Sequence, residues 1–387
     1  MNAFSLQLSR HLAVACLTFA ASAGAQTVTL TELPTPGGFG VAGVANIASD
    51  GTVVGTLYPK GDVVRWVPGE EPEVLGGDTY TLDNVMPFIS KDGAVIVATN
   101  YFDSHGVAAP GFWLGGTAWE RASGMILAFS TPYGMSWDGA VLVGGGYNKG
   151  APGELVPMVP WIWTAQSGQG LLDLLPGTIS GQAWAVADDA GIAIGFIEAG
   201  GVRYAVRWDA GVPEWITDDD GNRVGQAMAC NADCSVVIGA GVDNGPAGAP
   251  KQAWIWTASD GFRYLGVAPG ASPGATYYAF ESNRDGSMVV GSYFTVDPML
   301  GAINRGFLWT PEGGLQDMSE WLAGHGIDYG DGFSDLVANA ITPDGDLILL
   351  NGADADYART RAVVRIDASV PEDDFIFGDG FEGIIPL

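Results

Sequence analysis

The sequence predicts an all-β fold: a seven-bladed β-propeller of four-stranded blades, closed by its N-terminal strand, with one short helical insertion near residues 315–323. Three observations carry this reading. One phrase, a polar residue followed by Asp, Gly and an apolar run ending in Gly or Ala, recurs seven times, about every 49 residues. A second phrase after each copy spaces large apolar residues at period two, as strands do. Glycine (58 of 387 residues) and proline (22) are too frequent for a helix-rich chain, whereas 13 Trp, 12 Tyr and 16 Phe supply a core.

Residues 1–25 read as a secretory signal. Arg10 and His11 form a basic start, Leu12 to Ala23 is apolar but too short to span a bilayer, and Ala23-Gly24-Ala25 is a cleavage site that places the mature start at Gln26. The propeller is expected over 26–369 and an acidic tail over 370–387. No later apolar run is long enough for a transmembrane segment, so an exported, periplasmic or extracellular protein is expected. The next strand, Val28-Thr29-Leu30-Thr31-Glu32-Leu33, resembles a late strand of the unit with no earlier ones before it. The last unit has strands at Leu336–Ile341, Leu347–Leu350 and Ala362–Ile366 but no fourth. The orphan is therefore expected to pair with the last unit, which removes exposed edges.

The seven anchors lie at Gly51, Gly93, Gly139, Gly191, Cys234, Gly286 and Gly345. Asp-Gly between apolar runs is a hairpin signal, because Gly accepts positive φ and Asp bonds its own backbone. The paired residues that follow are Val64/Trp66, Phe112/Leu114, Trp161/Trp163, Val206/Trp208, Trp254/Trp256, Phe307/Trp309 and Val364/Ile366. A four-stranded unit of this length cannot bury both faces alone. Radial stacking solves that, with the tryptophans as wedges between neighbours. In the insertion, Leu315, Met318, Trp321 and Leu322 fall at helical spacing before Gly324-His325-Gly326.

These phrases resemble the HAF-repeat family of bacterial extracellular proteins over residues 28–366. The stretch from Leu315-Gln316-Asp317-Met318 through Trp321-Leu322-Ala323-Gly324-His325-Gly326 to Thr342-Pro343-Asp344-Gly345 is similar to that family's helix and final repeat. The namesake histidine is replaced by Asp62, Pro110, Val159, Tyr204, Gln252, Arg305 and Ala362, so no role for it carries over. The resemblance implies export and a repeat fold, and no reaction. The tail, Asp373 to Gly383, is similar to a short C-terminal motif of some secreted Gram-negative proteins.

A net charge of −28 disfavours nucleic acid and anionic membranes as partners. Cys16 leaves with the signal, and Cys230 and Cys234 flank a hairpin turn where an oxidising compartment favours a disulfide. Gly270-Ala271-Ser272-Pro273-Gly274 lacks the strand–helix context of a nucleophile elbow, and Gly38 to Gly43 lacks the helix of a dinucleotide site. Asp218-Asp219-Asp220-Gly221-Asn222 misplaces the first ligand of a calcium loop. No metal site and no cofactor are called for.

The loops between second and third strands vary in length and are expected to open on one rim carrying Tyr58, Lys60, Tyr101, Phe102, His105, Tyr147, Lys149, Phe196, Lys251, Tyr293, Phe294 and Tyr357. Aromatics on loops held by a rigid scaffold suit binding. The expected function is a secreted binding or surface-interaction module whose partner is open, a glycan or a cell-surface protein. The alternative is a glycan-cleaving propeller enzyme using carboxylates in its central pocket. Converging acids there would favour the enzyme.

Overall fold

A computed structural model describes residues 26–37, 40–58, 61–76, 87–102, 107–113, 119–148, 156–242, 251–330, 333, 335–353 and 359–367. The signal and tail segments, 1–25 and 370–387, lie outside the described residues, and Val28–Ile366 form one compact unit. The chain is all-β, with one helix among the described residues.

β1 (Thr27–Glu32) comes first. Four-stranded antiparallel units follow. The first unit is β2 (Gly40–Ile47), β3 (Val53–Tyr58), β4 (Val63–Trp66) and β5 (Glu73–Gly76). The second is β6 (Phe88–Ile89), β7 (Ile96–Phe102), β8 (Val107–Trp113) and β9 (Glu120–Arg121). The third is β10 (Phe129–Met135), β11 (Val141–Tyr147), β12 (Val159–Thr164) and β13 (Gly168–Leu171). The fourth is β14 (Gly181–Val186), β15 (Ile192–Ala199), β16 (Val202–Asp209) and β17 (Val212–Trp215). The fifth is β18 (Ala227–Cys230), β19 (Val236–Gly239), β20 (Trp254–Thr257) and β21 (Gly261–Tyr264). The sixth is β22 (Thr276–Ser282), β23 (Val289–Asp297), β24 (Gly301–Thr310) and β25 (Gly314–Asp317), followed by α1 (Met318–Gly324). The last supplies β26 (Asp335–Ile341), β27 (Leu347–Ala353) and β28 (Arg359–Asp367), with β1 beside β28. A parallel bridge, Asn304 to Asp335, joins the last two units into one eight-stranded sheet.

The recurring turn has one hydrogen-bond plan. In the second unit the Gly93 N–H donates to Ser90 O, Ser90 Oγ to Asp92 Oδ1, and the Ala94 N–H to Asp92 Oδ1. The plan repeats at Ser136, Asn231, Asn283 and Thr342. The serine hydroxyls and backbone N–H groups hold the carboxyls of Asp92, Asp233 and Asp285 below the usual range. The residue closing the plan has positive φ: Gly51, Gly93, Gly139, Gly286 and Gly345, but Ala190 (60°) and Cys234 (51°). The fourth anchor is therefore Ala190, one residue before the expected Gly191. Cys234 is disulfide-bonded to Cys230, with Cα atoms 4.9 Å apart.

A second constraint lies five residues beyond most of these anchors. Gly144, Gly195, Gly239 and Gly291 of the second strands face a β-bulge in the first strand of the same unit. A Cβ on Gly291 would meet Tyr278 O at 2.0 Å, and one on Gly144 would meet Thr131 O at 2.0 Å. Glycine is needed because the bulged strand's carbonyl occupies the side-chain position. Gly55, four residues past Gly51, does the same in the first unit, where Cβ would meet Gly43 O at 2.4 Å. The last unit bulges opposite Leu350, and nothing in the structure explains why glycine is dispensable there.

Among the described residues, seven buried apolar clusters lie at the junctions between units. Six join consecutive units. The seventh sets Val44, Ile47, Val53 and Trp66 against Ala340, Leu347 and Leu349, so the first and last units pack together. The tryptophans also bond backward. Trp66 donates from Nε1 to Pro34 O at 2.8 Å, Trp163 to Ser123 O at 2.6 Å and Trp208 to Asp173 O at 2.7 Å. In the second unit Trp113 is buried in the third strand; Leu114, the expected position, lies outside the described residues.

The turns are also tied to each other. Ser49 N donates to Lys91 O, Lys91 N to Trp137 O, Asp188 N to Ala232 O and Arg284 N to Pro343 O, all at 2.8–2.9 Å. Side chains complete two further joints, Asp138 N to Asp188 Oδ1 and Asn231 Nδ2 to Arg284 O. The joint from last unit to first begins at Pro343, which has no N–H. There Lys91 substitutes. Its Nζ lies 3.4 Å from both Ile47 O and Ile341 O and is ion-paired with Glu281. The other Glu281 oxygen accepts the Ile341 N–H at 3.1 Å.

The helix begins at Met318, capped by Asp317, whose Oδ1 accepts the Ser319 and Glu320 N–H groups. Leu315, expected inside it, belongs to β25, because that segment pairs with β24.

Two outcomes are expected in chemical denaturation. Gly291→Ala should destabilise by about 2 kcal/mol or more through overpacking, whereas Ala190→Gly should stay within about 1 kcal/mol, relief of positive φ offsetting added chain entropy. Lys91→Met should cost about 3 kcal/mol, because it strands the Glu281 carboxylate, and Lys91→Met with Glu281→Leu should recover most of that loss.

Candidate functional site

The first strands of all seven units line one cavity of about 830 Å³. The bulges aim its side chains. In the paired registers, Ala45, Tyr133, Trp184, Met228, Phe280 and Asn339 are the unpaired bulge residues of β2, β10, β14, β18, β22 and β26. All six line the cavity. A bulge breaks the period-two alternation and redirects a side chain, which is how a strand whose other face is core presents a large residue inward. Phe88, Trp137 and Tyr278 add further rings.

Tyr133 and Trp184 stack at 6.0 Å and 23°, and Trp184 meets Phe196 edge-on at 6.0 Å. Arg203 lies over the Phe196 ring at 4.8 Å. Trp184 Nε1 donates to Gln182 Oε1 at 2.9 Å, and Gln182 Nε2 to Met158 Sδ at 2.8 Å. Gln226 is 9% exposed and its Oε1 is buried without a partner, as is Asn339 Oδ1. Among the described lining residues the charges are Lys91, Arg203 and Glu281. Glu281 is the one carboxylate and is held by Lys91, so no pair of acids for glycoside cleavage converges there.

The expected rim fares differently. Lys60, His105, Lys149 and Tyr357 lie outside the described residues. Tyr58, Tyr101, Phe102 and Tyr147 end second strands, which run further than expected. Tyr147 stacks on Phe129 at 4.8 Å. Phe196 and Tyr293 are 2% and 4% exposed and sit within strands, so neither presents a ring to solvent. Tyr293 donates from its hydroxyl to Asp317 Oδ2 at 2.8 Å, and burial together with that carboxylate pushes its pKa up. Phe294 and Lys251 are exposed. Asp218 accepts the Asp220 and Asn222 N–H groups, so its turn is satisfied from within.

Sequence reasoning missed the cavity residues because bulges disguise them. Their signal was the glycine ending five of the apolar runs, opposite which the preceding strand bulges.

No family model and no curated protein matches this chain. Similar solved structures are β-propellers. The β-propeller domain of the Trilobed protease from Pyrococcus furiosus, described as having an open velcro topology, is 11% identical, with 89% of this chain and 99% of that one covered at a TM-score of 0.54. The Cps50 (Swd1) propeller domain from Myceliophteria thermophila is 10% identical, covering 86% and 99% at 0.50. TolB from Acinetobacter baumannii is 13% identical over 84% of this chain and 64% of that one at 0.41. The chain thus spans less than two thirds of the TolB it matches. At these identities the likeness concerns fold alone, and the chain has the β-propeller fold.

Proposed function

We propose that this chain is an exported binding module that takes its ligand in the central cavity of a closed, seven-bladed wheel. The observation that carries the reading is the convergence of bulged side chains from six first strands on one cavity. Bulges opposite obligatory glycines are a costly way to build a wall that only fills space. Closure is supported by β1 beside β28, by the apolar cluster between first and last units, and by the Trp66 bond to Pro34. Export is supported by the signal pattern and by a disulfide, which persists in oxidising compartments. The resemblance of the repeats to the HAF-repeat family fits the same picture. Among the described residues no helix is long and apolar enough to cross a membrane. The cavity replaces the loop rim as the working surface, and the glycan-cleaving alternative lacks a free pair of carboxylates among the described lining residues.

The test is a glycan array probed with residues 26–387. Binding that Ala45→Trp abolishes, by filling the cavity from a bulge position, and that Phe294→Ser leaves intact is the expected result. Binding lost in Phe294→Ser but kept in Ala45→Trp, or no binding to any glycan, contradicts it.

A further inference from the structure

The cavity reverses the charge balance of the whole chain. Acidic residues outnumber basic ones 44 to 16, yet the described lining holds two cations and one anion. Lys91 and Glu281 neutralise each other in their ion pair. That leaves Arg203, which is exposed and makes no ion pair among the described residues. Its guanidinium is braced on the Phe196 ring, and that ring also meets the Trp184 indole in a T-shaped contact. One buried phenylalanine therefore fixes a cation beside a stacked Trp184–Tyr133 platform. A guanidinium positioned this way presents its fork of N–H donors to a planar anion and suits a carboxylate.

The rest of the wall is built for a polar ligand with a flat face. Gln226 is nine-tenths buried, makes no side-chain hydrogen bond among the described residues, and has an unpartnered Oε1. Left alone, such a group carries a desolvation cost, which a hydroxyl donor relieves. A pyranose ring has an apolar face to lay on an aromatic platform and hydroxyls at its rim for the amides of Gln182 and Gln226. The volume, about 830 Å³, holds more than one sugar ring.

We propose that the cavity binds an acidic saccharide, its sugar face on Trp184 and Tyr133 and its carboxylate on Arg203. This rests on the cavity being the binding site. It is a binding inference, with no covalent step.

The test is calorimetric titration of residues 26–387 with trigalacturonate, with the neutral galactose trimer, and with benzoate as a carboxylate that is not a sugar. Trigalacturonate should bind at least tenfold tighter than the neutral trimer, and more weakly as NaCl is raised from 50 to 500 mM. Arg203→Met, which keeps an apolar stem over Phe196, should erase the difference between the trimers, and Arg203→Lys should restore part of it. Far-UV circular dichroism and the melting temperature check that both variants fold. Equal binding of the two trimers, both lost in Ala45→Trp, overturns the acidic preference and leaves the cavity reading standing. Benzoate binding as tightly as trigalacturonate overturns the saccharide assignment. Binding of trigalacturonate that survives Ala45→Trp takes down the cavity reading itself. No binding of any of the three overturns this inference, and the glycan array then judges the cavity alone.

Discussion

The structure turns on a steric exchange between neighbouring strands. In each of five units a second-strand glycine gives up its Cβ so that a first-strand carbonyl can bulge into that space. The bulge rotates one residue out of the pleat and aims it away from the apolar junctions. The same exchange builds a close-packed core on one side and a lined cavity on the other. Neither could move independently, because enlarging the glycine would push the bulge and with it the cavity wall.

Around this exchange the units hold each other by a small number of recurring contacts. Apolar clusters fill the junctions, indole N–H groups reach back to the preceding unit, and turn amides pass hydrogen bonds from one unit to the next. Proline at 343 interrupts that relay where the last unit meets the first. The ammonium of Lys91 fills the gap by reaching the carbonyls of Ile47 and Ile341. A buried ion pair thus sits at the point where an ordinary backbone bond is chemically impossible, and it uses up the cavity's one described carboxylate.

The repeat was legible because Asp-Gly turns and alternating tryptophans leave strong local patterns, and β1 could be assigned to the last unit by counting strands. Finer placement failed where the pattern slipped by one. The pattern points to Gly191, but Ala190 takes the positive φ. Leu315 matched a helical period, yet backbone pairing with β24 held it in a strand. Turn-rich composition makes the second strands look shorter than they are, so Phe196 and Tyr293 read as loop residues although they are buried within β15 and β23. The cavity stayed hidden because a bulge cancels the alternation by which inward and outward residues are told apart. Trp184 and Tyr133 look misplaced in a regular strand and make sense only beside Gly195 and Gly144.

The closed wheel proposed for this chain depends on the N-terminal strand pairing with the last unit, where β1 lies beside β28. Amide hydrogen exchange read by mass spectrometry on residues 28–33 is the most direct measurement. The expected result is that the Leu33 amide, bonded to Arg361 O at 3.0 Å, and the β28-facing amides of β1 exchange slowly and in step with β28. Exchange of the whole segment at the rate of an unfolded chain, while β28 stays protected, would contradict it.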